Sequence, residues 1–217
     1  MKDFPIFLLI IPLLLPIINA YDSSKMLIIY FTKTNNTQLF ANYIKEICNI
    51  TESYQIVPVN PYPDNYSELS DLAKLERNTS ARPSINNPLT DINKYDIIFL
   101  GYPLWHNHIP NILITQIEEL DWNGKIIYPF NTHGSKAAGE SVDDIIQYAV
   151  GADVKEGFSI SQQKIKLKEE SMLEIKDWVS KNLENKEEKI EEDIISNISL
   201  KNIKFHYFIY FLLIILL

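Results

Sequence analysis

From Lys25 to about Leu183 the chain alternates short apolar runs with stretches of helical spacing, and that alternation limits the fold more than any other feature. Met26–Phe31 is uniformly apolar, as a strand buried on both faces must be. Thr37–Ile47 follows with Leu39, Phe40, Tyr43, Ile44 and Ile47 on one face of a helix. Further strands are expected at Tyr54–Val59, Asp96–Gly101, Lys125–Phe130 and Asp153–Ile160. Helices are expected around Tyr66–Glu76, Ile109–Leu120 and Gly139–Tyr148. A last helix is expected near Ser171, where Ser171 and Glu174 have capping-box spacing. Strands that alternate with helices pair in parallel, with helices on both faces of the sheet. Right-handed crossovers leave only a few doubly wound arrangements, so the fold class is α/β. In such sheets ligands bind beyond the carboxyl ends of the strands, where the strand order reverses.

The loops after strands one, three and four therefore matter most. The first, Thr32-Lys33-Thr34-Asn35-Asn36-Thr37, is polar and lacks glycine. Hydroxyls, an amide and the open N–H groups of the next helix suit an anion there. The same residues also make an ordinary helix cap. The second, Tyr102 to Pro110, places Trp105 between prolines; it reads either as a flat face for a planar ring or as a core tryptophan at a strand end. His106 and His108 lie two residues apart, which is weak spacing for a metal, and no metal is expected. The third, Asn131-Thr132-His133-Gly134-Ser135-Lys136-Ala137-Ala138-Gly139, has small residues that let a backbone approach a ligand or simply turn.

Taken in order, these loops resemble the flavodoxins, in particular those marked by S-x-T-G-N-T, Y-P-x-W and T-H-G. The likeness runs from about Met26 to Leu183 and includes "NPYPDNYSEL", "ARPSI" and "WNGKIIYPFNTHG". The resemblance implies a flavodoxin-like five-stranded parallel sheet of order 2-1-3-4-5 and bound flavin mononucleotide (FMN). It implies that Thr32, Thr34, Asn36 and Thr37 hold the phosphate, with Asn35 where the motif has glycine. Pro103, Leu104 and Trp105 would line the ring on one side, and Thr132, His133, Gly134 and Gly139 on the other. His106 and Asn107 stand where Trp and Gly are frequent. His133 is a candidate proton donor. The implied activity is electron transfer through the flavin, as a carrier or as an NAD(P)H-dependent reductase. A redox partner protein or NAD(P)H would be the partner. The rival is a membrane-anchored interaction module of the same fold without the cofactor.

Composition adds boundaries. Net charge is −8, but residues 184–193 hold six acids against two lysines, so half the excess sits in one segment. The acidic balance argues against nucleic-acid binding. Cys48 is the only cysteine, which excludes an internal disulfide. Residues 1–20 read as a signal peptide or an amino-terminal anchor, since Phe4–Ile18 is apolar and ends near Asn19-Ala20. Residues 25–183 make the folded domain, 184–204 a charged stalk, and 205–217 an apolar tail that suits a membrane contact or a removable lipid-anchor signal. With sequons at Asn35, Asn49, Asn65, Asn78 and Asn197, the expectation is a glycoprotein of the secretory pathway.

Overall fold

The structure is a computed structural model and describes residues 22–134 and 139–183. The expected leader at 1–20, stalk at 184–204 and tail at 205–217 lie outside these residues. The chain divides into two units, one of Ala20–Asp177 and one of Met1–Asn19 with Trp178–Leu217. Of the second, only 178–183, the end of the last helix, is described.

In the larger unit, β1 (Met26–Phe31) is buried at all six positions, as its unbroken apolar run requires. It leads to α1 (Asn36–Cys48), which buries Thr37, Phe40, Ala41, Tyr43 and Ile44 at helical spacing. Then follow β2 (Ser53–Ile56), α2 (Tyr66–Asn78), β3 (Ile97–Pro103), α3 (Asn111–Glu118), β4 (Ile126–His133) and α4 (Ser141–Tyr148). Two short strands, β5 (Asp153–Val154) and β6 (Phe158–Ser161), precede α5 over 168–183. These six strands all pair in parallel, in the order β2-β1-β3-β4-β5, with β6 on β4 as well. The doubly wound 2-1-3-4-5 topology is therefore present, with one added strand.

Successive strand residues face opposite sides of a sheet. Leu27, Ile29, Ile98 and Leu100 join Ile112 and Leu113 of α3 in one core. On the other face Phe40 of α1 packs on Phe130 at 4.7 Å, and Phe99 stacks on Tyr128 at 5.5 Å. The sheet is covered on both sides. Gly101 lies beside Phe130, and a Cβ there would stand 2.2 Å from the ring. The glycine is a seat for an aromatic ring.

Apart from β2, which ends at Ile56 instead of Val59, and β4, which runs on through Asn131, Thr132 and His133 where the sequence predicts a loop, two elements differ from their sequence expectations. The single strand expected at Asp153–Ile160 is two, broken opposite Pro129. Main-chain groups of odd-numbered β4 residues face this edge, as Lys155 N to Ile127 O and Gln162 N to His133 O demonstrate. Pro129 has no N–H to offer the edge strand, so pairing lapses there and resumes at Phe158. The last helix begins at 168, ahead of the expected capping box. Ser171 Oγ instead donates to Lys164 O at 2.7 Å, and Glu174 pairs with Lys164. Among the described residues no helix is long and apolar enough to cross a membrane.

Candidate functional site

Three loops leave the carboxyl ends of β1, β3 and β4. In the first, Asn35 takes a left-handed backbone (φ 61°, ψ 1°) as the residue that starts α1, and its side chain makes no capping hydrogen bond. The first-turn N–H groups of α1 therefore lack the usual side-chain acceptor. Asn36 Nδ2 donates to Thr34 Oγ1 at 3.0 Å. Thr37 Oγ1 is buried 3.0 Å from Thr132 Oγ1, which ties this loop to the end of β4. Thr32 Oγ1 is buried with no hydrogen-bond partner. The loop's only cation, Lys33, is engaged by Asp64.

The second loop doubles back on a two-residue turn. Trp105 N donates to His108 O at 3.0 Å and His108 N to Trp105 O at 2.9 Å. The residues between them, His106 (φ 49°) and Asn107 (φ 68°), are both left-handed, the signature of a type I′ hairpin. The two histidines part company there. His106 Nε2 lies 3.2 Å from both Oγ and O of Ser70 on α2. His108 Nδ1 lies 3.0 Å from Asp144 Oδ2, which also accepts from Ile109 N, while Arg77 pairs with the same carboxylate. Among the described residues no group of three or more His, Cys, Asp or Glu is placed to hold a metal. Burial pushes the Cys48 thiol up to about 12, so it is no thiolate nucleophile.

Trp105 answers to both of its sequence readings. It is half-buried, with its ring edge-on to Phe31 (5.6 Å) and Tyr62 (4.9 Å), and it also lines a cavity. The end of β4, from which the third loop leaves, joins the second loop through Leu104 N to Thr132 O at 2.8 Å. His133 Nδ1 is buried without a partner, and burial holds its pKa below the usual histidine value. The neutral ring is favoured.

The cavity has a volume of about 400 Å³. Of the residues singled out in the sequence, it is lined by Thr34 and Asn36, by Pro103, Leu104 and Trp105, and by Thr132, His133 and Gly134. Thr32, Asn35, Thr37 and Gly139 do not line it. Gly139 instead seats Asn107: a Cβ there would fall 2.3 Å from Asn107 Cβ and 2.8 Å from its O. Sequence reasoning missed one wall, made by Tyr66, Leu69, Ser70 and Ala73 of α2, together with Gln162 after β6. The available signal was α2 itself, since its helical stripe had to face something. The arrangement is a slot with a tryptophan on one side and neutral donors at the amino end of a helix. It suits a planar ring that carries one anionic group.

A family model described as Flavodoxin matches residues 25–182. A flavoprotein structure from Bacteroides uniformis superposes with a TM-score of 0.61 at 24% identity, covering 72% of this chain and 98% of that one. A second, from Bacteroides eggerthii, gives 0.58 at 28% identity, over 66% of this chain and 94% of that one. A Lactobacillus acidophilus flavoprotein in complex with FMN gives 0.53 at 22% identity, over 65% and 95%. No curated protein sequence matches the chain.

Proposed function

The chain belongs to the flavodoxin family, and on that premise we propose that the three-loop cavity holds FMN and that the loaded protein transfers electrons. The observation that carries this reading is the cavity itself, where Thr34 and Asn36, the ring of Trp105 and His133, whose buried Nδ1 has no partner, line one space. Buried polar atoms without partners are rare and costly, and a ligand that satisfies them removes the cost.

Thr32, Thr34, Asn36 and Thr37, with the open N–H groups of α1, would hold the phosphate. All are neutral, and Lys33 is already occupied by Asp64. Asn35 contributes its backbone turn. Trp105, with Pro103 and Leu104, would pack on one side of the ring. Thr132, His133 and Gly134 would border the other side. Gly139 serves indirectly, by letting the second loop close. One short phosphate loop without a G-x-G-x-x-G turn favours the mononucleotide over a dinucleotide. The flavin supplies one- and two-electron chemistry, and the protein sets its orientation and exposure. His133, neutral and unpartnered, can hold a proton at Nδ1 beside the ring.

The electron donor or acceptor would be a redox partner protein or NAD(P)H. The cofactor-free interaction module gains no support, because the three loops converge on a formed slot. The asparagines of the four sequons among the described residues are exposed, in keeping with a glycoprotein of the secretory route.

The test is a flavin fluorescence titration of wild type and Thr34→Ala/Thr37→Ala, with a visible spectrum. Wild type should quench the flavin and turn yellow. The double variant should bind roughly a hundredfold more weakly or worse, from two charged-acceptor hydrogen bonds of ~1.5–3 kcal/mol each. A folded wild type that binds no FMN would overturn the reading, and equal affinities would reject this loop.

A further inference from the structure

Helix α2 carries Leu69, Leu72, Ala73 and Glu76 at helical spacing, and three of the four are small or apolar. Leu69 and Leu72 pack on the core. Glu76 continues that stripe and is only 8% exposed, so burial raises its carboxyl pKa. Among the described residues no cation forms a salt bridge with it. Arg82 lines a second cavity, distinct from the slot, together with Tyr62 and Glu76, yet its guanidinium is held by Glu118 at 2.7 and 2.8 Å. A carboxyl group at such a position costs stability unless it is hydrogen-bonded, and a leucine would pack there more cheaply. The position must be held for something leucine cannot do.

What it does is accept a hydrogen bond from Tyr62 Oη at 3.0 Å. Its own main chain is pinned, since Glu76 O accepts from Asn111 Nδ2 and Ala81 N, both at 2.8 Å. Tyr62, between two prolines, is 6% exposed. Its ring meets Trp105 at 4.9 Å and Phe31 at 5.6 Å, while Phe31 meets Trp105 at 5.6 Å. Of these three mutually touching rings only Trp105 reaches the slot. Edge contacts orient a ring only as firmly as the ring behind them is held.

We propose that Glu76 is a positioning residue for the flavin slot: by holding the Tyr62 hydroxyl it sets the attitude of Trp105. The proposal rests on reading the slot as the FMN site, but its first readout does not require FMN.

The full chain is labelled with 5-fluorotryptophan, and the Trp105 resonance in the ¹⁹F spectrum is assigned with Trp105→Phe. Glu76→Gln keeps an acceptor for Tyr62 and should leave the Trp105 line in place, with FMN affinity within about twofold. Glu76→Leu and Tyr62→Phe should shift or broaden that line while the lines of Trp122 and Trp178 stay fixed. They should weaken FMN binding about fivefold, the equivalent of one ordinary hydrogen bond. Folded Glu76→Leu and Tyr62→Phe proteins with an unmoved Trp105 line overturn the proposal. If Glu76→Leu fails to fold, Tyr62→Phe decides; collapse of all three lines in both variants assigns Glu76 a purely structural role and also overturns it. A Trp105 line that shifts in a protein that never binds FMN would uphold the coupling and sink the flavin reading.

Discussion

Asn35 concentrates the chemistry of the first loop in one residue. Its φ of 61° is a conformation that costs most L-residues ~1–2 kcal/mol, and asparagine bears it better than any residue but glycine. Thus Asn35→Gly is expected to leave stability within a few tenths of a kcal/mol, whereas Asn35→Ala should cost about 1 kcal/mol in urea unfolding. This backbone was legible in the sequence because the motif position is one where glycine is usual. The unused side chain was not legible: nothing local says that Asn35 will leave the first-turn N–H groups uncapped. A second prediction follows from the sequon at the same residue. Asn35 is exposed between Thr34 and Asn36, both of which line the slot. A glycan there would stand at its mouth, whereas bulky sugars belong on free surface. Peptide mapping of the natural protein should find Asn35 bare in flavin-loaded molecules, even where Asn65 or Asn78 carries a glycan. Full occupancy in molecules that still hold flavin would sink the assignment of the loop.

At the scale of elements, the hairpin after β3 and the residue that seats it form a matched pair. Two consecutive left-handed residues, His106 and Asn107, turn the chain so that Trp105 faces the slot. Having a side chain at 107 requires none at 139, because Gly139 lies against Asn107 backbone as well as its Cβ. Gly139→Ala should therefore destabilise by ~1–3 kcal/mol and weaken FMN binding, as overpacking does against backbone that cannot yield. Adding Asn107→Gly should restore part of the loss by removing one of the clashing atoms. A thermal-melt double-mutant cycle reads the coupling, and additive effects would refute the pairing. The strands β1, β3 and β4 and the helix α1 were readable from periodicity alone, since burial on two faces and on one face leave distinct patterns. The wall supplied by α2 was not readable. Its long approach segment has no regular period, and Tyr62 and Glu76 acquire meaning only once folding brings them to Trp105, 43 and 29 positions along the chain. Their local oddities, a tyrosine between prolines and a glutamate on an apolar stripe, were the available signals. For the broken edge strand the signal was Pro129, which looks harmless until its missing N–H is assigned to an edge.

At the scale of the whole molecule, burial sets the pH dependence of stability through two groups that act in opposite ranges. The Glu76 carboxyl is raised above its ordinary 4.5 by burial. As pH climbs past that value the unfolded chain releases this proton first, while the native chain still holds it. The stability that Glu76 contributes is therefore complete at or below about pH 4.5 and is lost as pH rises through the folded value. His133 is lowered below its ordinary 6.5, also by burial. Here the unfolded chain takes up the proton first as pH falls, so the contribution is complete above about 6.5 and is lost toward the folded value. Glu76→Gln cannot lose a proton and His133→Gln cannot gain one. Relative to wild type, Glu76→Gln should gain stability as pH rises from about 4.5 toward 7, and His133→Gln should gain it as pH falls from about 7 toward 5. Paired surface carboxylates such as Glu118, held down by Arg82, remain in both variants and cancel in each difference. Urea unfolding of the full chain at a series of pH values, each variant measured against wild type, gives the two slopes directly. Bound FMN should flatten the His133 slope if Nδ1–H donates to the flavin, because such a bond favours the protonated ring and offsets part of the effect of burial. It should leave the Glu76 slope unchanged, since that carboxyl meets the ring only through Tyr62 and Trp105. A pair of slopes with the reverse signs would show that charge partners, rather than burial, govern the two groups.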